Sequence, residues 1–252
     1  MTEEMQAEFD TLAEWTAEAA LDLGPDYFLP AGCRGSGRPA ALRWLIDRLE
    51  ITAADRMLDC GAGVGGPAAF AAQETGVRPV LSEPQAGACR AARRLFGLPV
   101  VQAGSQLPFA AGSFDVLWSL GVLCTVDDQP QLLRELHRVL APAGRLGLLV
   151  FVAQHPPLSS QPSGNHFPTE RGLRDLLTAA GFQVVNSASE GDFTALPTHW
   201  QEQADAVDAE LERRHHDDPA WQVAGEQSAL IGQLLNDREL VGTLIVASRT
   251  AI

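Results

Sequence analysis

Met57-Leu58-Asp59-Cys60-Gly61-Ala62-Gly63-Val64-Gly65-Gly66-Pro67 reads as a short strand that ends on an acid, crosses a turn of four glycines and enters a helix at a proline. Glycines at such a turn let the backbone approach a nucleotide-like ligand more closely than any Cβ would allow. Proline suits a helix's first turn, where its missing N–H would have no intrahelical partner. Gly61, Gly63 and Gly66 also satisfy the dinucleotide-binding pattern, so the turn alone is compatible with two kinds of cofactor.

Outward from this turn, short apolar runs alternate with longer helical stretches, the mark of a parallel sheet built from βαβ units. Strands are predicted at Met57–Asp59, Val77–Leu81, Val100–Gln102, Phe114–Ser119 and Arg145–Ala153, with helices at Pro67–Glu74, Gln85–Phe96 and Gln129–Leu140. Asp128 is placed to cap the last of these. Beyond the proline- and serine-rich loop Gln154–Pro168, Thr169 caps a helix reaching Ala180, Gly181 supplies its left-handed end, and Phe182–Ser187 and Leu240–Ala247 read as strands. Glu83 follows the second strand, where a carboxylate can accept both hydroxyls of a ribose.

Upstream, Met5, Phe9, Leu12, Thr16 and Ala19 recur at helical spacing with Trp15 beside them, and Gly24–Pro39 reads largely as loop. The stretch Ala188–Glu239 is too long for a hairpin. Trp200, Ala204, Val207 and Leu211 recur helically within it, and Asp218-Pro219 opens a second helix carrying Trp221, Ala224, Ile231 and Leu235. The expected organisation is a helical cap and loop at 1–39, a cofactor-binding core at 40–187, a helical lid at 188–239 and the last core strand at 240–252.

Composition narrows the function. A net charge of −14 would repel a phosphate backbone, and the arginines are scattered, so nucleic acid is not expected as a partner. All 18 basic residues are arginine, which excludes mechanisms built on a P-loop, Schiff-base or kinase lysine. Cys33, Cys60, Cys89 and Cys124 lack metal-ligand spacing, and no metal is expected. His215-His216-Asp217-Asp218 reads as a solvated helix end, because adjacent helical residues diverge. An acidic N-terminus and the lack of a long apolar run point to a cytoplasmic protein with no membrane partner. A homodimer is left open.

Two downstream blocks separate the cofactors. Leu107-Pro108-Phe109 through Phe114-Asp115-Val116-Leu117-Trp118-Ser119, and Leu133-Arg134-Glu135-Leu136-His137-Arg138-Val139-Leu140 through Gly144-Arg145-Leu146, resemble signatures of class I S-adenosylmethionine-dependent methyltransferases of the small-molecule, type 11-like group. With the glycine turn and Glu83, the resemblance spans residues 40–185. It implies an α/β, Rossmann-like three-layer sandwich whose seven-stranded, mostly parallel sheet has an antiparallel last strand.

The resemblance also implies site roles. Asp59, Gly61, Ala62, Gly63 and Gly65 would surround the methionine part of the donor, Glu83 and Pro84 the ribose side, and Ala103, Gly104, Ser105 and Gln106 the adenine. Ser119, Leu120 and Val122 would line the transfer site, and Arg34 would pair with the donor carboxylate. Three features depart from the family: Ala103 stands where an adenine-binding acid is usual, Pro84 follows the ribose acid, and Cys124-Thr125 replaces a usual histidine. Methyl transfer to a hydroxyl benefits from a base, for which His155, His166 and His199 are candidates, His155 first. Tyr27, Phe28, Cys124, Phe193, Trp200 and Trp221 are expected substrate contacts.

The expected activity is methyl transfer from S-adenosylmethionine, giving S-adenosylhomocysteine, to a small, partly apolar metabolite, with oxygen favoured over nitrogen or carbon. A ligand-binding protein that kept the fold but lost turnover, and an NAD(P)-dependent oxidoreductase, remain as alternatives.

Overall fold

The computed structural model describes the backbone of residues 3–250 and the side chains of 8–250; the side chain of Met5 lies outside this range. The chain runs α1 (Glu3–Leu23), α2 (Phe28–Gly32), α3 (Pro39–Arg48), β1 (Met57–Cys60), α4 (Gly66–Thr75), β2 (Val80–Glu83), α5 (Ala86–Phe96), β3 (Val100–Gln102) and β4 (Phe114–Leu120). It continues through α6 (Gln129–Val139), β5 (Leu140–Ala153), α7 (Glu170–Ala179), β6 (Phe182–Ser189), α8 (Trp200–His215), α9 (Pro219–Asn236) and β7 (Leu240–Arg249). The strands form one seven-stranded sheet in the order β3-β2-β1-β4-β5-β7-β6. β1 to β5 pair in parallel, and β7 runs antiparallel to both β5 and β6.

The order reverses between β1 and β4, which opens a crevice at their carboxyl ends. Apolar side chains fill both sheet faces. Leu132, Leu133 and Leu136 of α6 and Leu173 and Leu177 of α7 pack on one face; Leu42, Leu45 and Ile46 of α3 and Phe70 of α4 pack on the other, around Trp118. Trp118, Leu117 and Leu133 are fully buried, a burial worth about 2 kcal/mol for each leucine. Asp128 caps α6 by accepting from the Gln131 amide at 2.8 Å, and Thr169 caps α7 through the Gly172 amide at 3.1 Å.

Three expectations need correction. The second strand is predicted from Val77 but begins at Val80, because Arg78-Pro79 interrupts it and Pro79 has no N–H to give to a ladder. Val77 is nevertheless buried. The fifth strand begins at Leu140, not Arg145: Leu140 already pairs with Phe114, residues 141–144 form a bulge in the ladder, and Gly144 folds back over the Leu140 side chain. Gly24–Pro39 is not largely loop, since Pro25–Tyr27 makes a 3-10 turn that leads directly into α2.

The helices of 188–239 pack on the N-terminal cap. Asp22 of α1 binds Arg214 of α8 at 2.8 Å, and the Trp15 ring stacks on His215 with centroids 3.7 Å apart. Asp218 caps α9 through the Ala220 amide. The His-His-Asp-Asp run is therefore used for stacking and capping. Among the described residues, no helix is long and apolar enough to cross a membrane.

Candidate active site

At the end of β1 the Gly61 amide donates to the Ser82 carbonyl at 2.7 Å and the Gly65 amide to that of Ala62 at 2.9 Å, which folds the glycine turn against β2. Ser119 at the end of β4 donates to the Cys60 carbonyl at 2.8 Å and ties the two strand ends together. Gly61, Gly63 and Gly65 all have positive φ, at 74°, 54° and 85°. A side chain at these positions would be strained even where space allowed it.

The glycines have different duties. A Cβ on Gly61 would run into the Val122 side chain, one on Gly65 into Leu81 of β2, and one on Gly66 into the backbone of Gly32. These three serve the packing of turn on β4, helix on sheet and α2 on α4. Gly63 alone faces uncrowded space, with the Phe9 ring 3.8 Å from where its Cβ would stand. It is the position at which a ligand can lie against the backbone.

Glu83 is 3% exposed. Its Oε2 accepts from the Gly63 amide at 2.8 Å and its Oε1 from the Gln85 amide at 3.0 Å. Each oxygen keeps a second lone pair for a hydroxyl. Burial raises the pKa of this carboxyl, the two amides lower it, and the charge of Asp10 raises it further. Gln102 donates to the Pro84 carbonyl at 3.0 Å, and the Ala103 amide to that of Glu83 at 3.1 Å. Beyond them Gly104, Ser105 and Gln106 are exposed. The adenine end expected from the sequence is thus an open shelf made of backbone.

Asp59 is 2% exposed, and its Oδ2 has no hydrogen-bond partner among the described residues; the same holds for the indole N–H of Trp118. Burial pushes the Asp59 carboxyl up to about 7, the Trp118 indole opposes this, and the Glu83 charge adds to it. A buried carboxylate oxygen left unbonded is costly and suits a cationic or hydrogen-donating ligand. The consequence for stability has a definite sign. Between about pH 4 and pH 7 the unfolded chain has lost this proton and the folded chain keeps it, so stability falls as pH rises and then levels off. The full shift corresponds to about 4 kcal/mol at most. Denaturation of wild type and Asp59→Asn across this range is expected to show the variant gaining on wild type as pH rises. A constant difference from pH 4 to pH 8 would contradict the assigned titration.

The remaining predicted residues fall into separate groups. Arg34 forms an ion pair with Asp208 of α8 at 2.9 Å, joining the cap loop to the helical insertion. Its neighbours lie at the crevice: the Cys33 thiol feels the Asp59 charge, and the Gly35 carbonyl lies against Gly121. His155 follows β5 and is exposed; His199 opens α8 and pairs with Glu202 at 2.6 Å. His166 pairs through Nε2 with Asp127 at 3.0 Å, and its amide donates to the Cys124 carbonyl at 2.7 Å. Gln129 Nε2 clasps the carbonyls of Leu123 and His166, fixing the histidine's loop beside the turn that follows β4.

The expected substrate contacts do not form one pocket. Tyr27, Phe28 and Trp221 pack with α1, Phe193 and Trp200 pack with α3, and Val122 and Cys124 belong to the face covered by α6. Phe28 and Trp200 do share a cleft of about 670 Å³, but its other walls are Arg43, Phe70, Glu74 and Leu98, toward the end of α4 remote from the glycine turn. Sequence reasoning missed Asp10, whose carboxylate accepts from the Gly87 amide, and Asp127 as the partner of His166.

A crevice at the β1/β4 switch point, an acid at the end of β2 and a buried carboxylate with one oxygen unbonded among the described residues together suit a nucleoside-like ligand on this α/β fold. Comparison with known proteins makes this specific. Residues 58–148 match a family model described as a methyltransferase domain. Methyltransferase GfsG of Streptomyces halstedii is 35% identical over 44% of this chain and 42% of its own length. The 27-O-demethylrifamycin SV methyltransferase of Amycolatopsis mediterranei is 30% identical over 73% of this chain and 65% of its own length. The chain thus spans less than two thirds of either relative. The solved [4+2]-cyclase SpnF superposes with a TM-score of 0.68 at 20% identity, covering 85% of this chain and 81% of its own, a likeness of fold. Over residues 58–148 the chain is thus similar to the methyltransferase domain, and the two relatives above are methyltransferases. Other matches carry the names of O-, C- and N-methyltransferases. Solved neighbours of this fold, 17–18% identical, hold S-adenosylmethionine or S-adenosylhomocysteine.

Proposed function

We propose that the protein transfers a methyl group from S-adenosylmethionine to a hydroxyl of a small, partly apolar metabolite. The observation that carries this reading is the constellation of Asp59, Gly63 and Glu83 at one crevice: a buried carboxylate with a vacant oxygen, an uncrowded backbone and an acid with lone pairs to spare. Asp59 would take the cationic methionine end, Gly63 the chain beside it and Glu83 the ribose hydroxyls. One relative, matched over 73% of this chain, is named a 27-O-demethylrifamycin SV methyltransferase, which supports oxygen as the acceptor atom.

When bound, the donor supplies an electrophilic methyl on a sulfonium, and displacement in line requires no covalent enzyme intermediate. The chain's part is alignment, exclusion of water and removal of one proton. Ser119, tied to Cys60, and Val122, packed on Gly61, hold the β4 end against the glycine turn, where the acceptor oxygen would be presented. His166 would take the hydroxyl proton, and Asp127 would orient the ring and stabilise the resulting imidazolium. What supports His166 over His155 as the base is that, of the three, it is bound both to a carboxylate and to the turn after β4. The exposed shelf at Gly104–Gln106 leaves the adenine to backbone groups.

The test is incubation with methyl-labelled donor and a panel of small phenols and alicyclic alcohols, followed by mass spectrometry. The expected result is an O-methyl product and S-adenosylhomocysteine in equal amounts. Label on nitrogen or carbon would overturn the choice of atom. Donor binding without transfer to any acceptor would favour a protein that kept the fold for another purpose.

A further inference from the structure

The crevice is roofed by the N-terminal helix. Asp10 of α1 accepts from the Gly87 amide in the first turn of α5, and α1 lies so close there that a Cβ on Gly87 would stand 2.5 Å from the Asp10 carbonyl oxygen. One residue earlier, the Phe9 ring overlies Gly63, the one glycine of the turn with space in front of it. Glu83, between these two contacts, is 3% exposed. A nucleoside cannot reach Glu83 while Phe9 and Asp10 stay where they are.

The seam that holds this roof is weak by composition. Ala13, Ala17 and Ala20 of α1 meet Ala88 and Ala91 of α5, small side chains that bury little area each. Along it, Glu14 pairs with Arg90 at 2.5 Å and Glu18 with Arg94 at 3.9 Å, in line with Asp10 on Gly87. These pairs are about half exposed, the kind that salt screens and that contributes little. Phe9 is itself 47% exposed, so its ring adds little apolar burial where the helix covers the crevice. The far end is better fixed, by Asp22 on Arg214 and Trp15 on His215.

We infer that the first turns of α1 are the door of the donor crevice, hinged toward α8 and latched by Asp10 on the Gly87 amide, and that this latch sets how fast donor enters and spent product leaves. The inference rests on the reading of Gly63 and Glu83 as the donor cradle. Asp10 is thus a positioning residue: it acts through α5 and the closure of α1. Its signature is kinetic. A latch raises both the association and the dissociation rate when it is broken, whereas loss of an ordinary ligand contact raises dissociation alone.

The test is stopped-flow binding of S-adenosylhomocysteine to wild type, Asp10→Ala, Asp10→Asn, the double variant Glu14→Gln/Glu18→Gln, and Glu83→Ala. Asp10→Ala is expected to raise dissociation about tenfold and association several-fold, so that Kd changes less than either rate. Asp10→Asn keeps a carbonyl acceptor for the Gly87 amide and is expected to recover part of the effect. The double variant, which touches nothing in the crevice, is expected to shift both rates the same way, as is added salt in wild type. It reads the latch even if Asp10→Ala folds poorly. If Glu83→Ala weakens binding while the Asp10 and double variants keep both rates within twofold of wild type, the door is wrong and the donor cradle stands. If Glu83→Ala binds as tightly as wild type, the cradle is wrong and the door falls with it.

Discussion

Glu83→Ala is expected to weaken S-adenosylhomocysteine binding by about two to three orders of magnitude, the largest effect of any single change at the site. The magnitude follows from the loss of two charge-assisted hydrogen bonds to a ribose, each worth about 1.5–3 kcal/mol where donor or acceptor is charged. The loss is compounded because Glu83 also holds the turn. Without it, the Gly63 and Gln85 amides lose the acceptors they reach at 2.8 Å and 3.0 Å, and the glycine backbone is no longer preorganised. Glu83→Gln keeps an acceptor for one amide but carries no charge, and is expected to fall between the two, at roughly a tenfold loss. Calorimetric titration distinguishes the three proteins, and an unchanged dissociation constant for Glu83→Ala would remove the ribose role.

The second large effect is on turnover. His166→Ala is expected to lower kcat about a hundredfold, in the range for loss of a general base, with donor affinity unchanged because the ring's bonded partner is Asp127 and not a residue of the Asp59–Gly63–Glu83 crevice. Asp127→Asn is expected to lower kcat about tenfold, since the imidazole keeps its place but loses a charged partner. His155→Ala and His199→Ala should stay within about threefold of wild type: His155 is exposed in the loop after β5, and His199 is engaged by Glu202 at the start of α8. Initial-rate kinetics with an accepted hydroxyl substrate decide the matter. A hundredfold loss in His155→Ala together with a normal His166→Ala would transfer the role of base to the residue that the strand position alone favours.

The fold was legible where local rules act alone. Asp128 and Thr169 cap the helices they precede, and the run of buried strand, glycines and proline at 57–67 forms the turn it announces. It was less legible where a neighbour distant in sequence decides. Residues 141–144 bulge because Leu140 finds Phe114, and a pattern read along the chain places the strand after the glycine. The glycine turn itself was read as one ligand-binding device, whereas three of its four glycines are demanded by Val122, Leu81 and Gly32. No spacing rule separates the two causes, because each forbids the same Cβ.

The site divides in the same way. Asp59 and Glu83 stand at strand ends and could be found by position. Asp10 and Asp127 could not, since their partners Gly87 and His166 are brought near only by the packing of α1 on α5 and by the clasp of Gln129. The aromatic residues were grouped by type as one acceptor pocket and are instead shared among separate clusters. An aromatic ring carries no address of its own, and its place depends on which helix face closes over it.

The most direct test of the central claim is a calorimetric comparison of S-adenosylmethionine, S-adenosylhomocysteine and the nicotinamide dinucleotides on the same protein. The glycine turn by itself suits either cofactor, but the buried Asp59, its Oδ2 unbonded among the described residues, suits the ammonium that S-adenosylmethionine and S-adenosylhomocysteine both carry at the methionine end and that a nicotinamide dinucleotide lacks. The expected result is one donor-binding site per chain, occupied by S-adenosylmethionine and S-adenosylhomocysteine, with binding that strengthens as pH rises through about 7 and Asp59 ionises, and no measurable heat with a nicotinamide dinucleotide. Tight binding of a nicotinamide dinucleotide and none of S-adenosylmethionine would contradict the account.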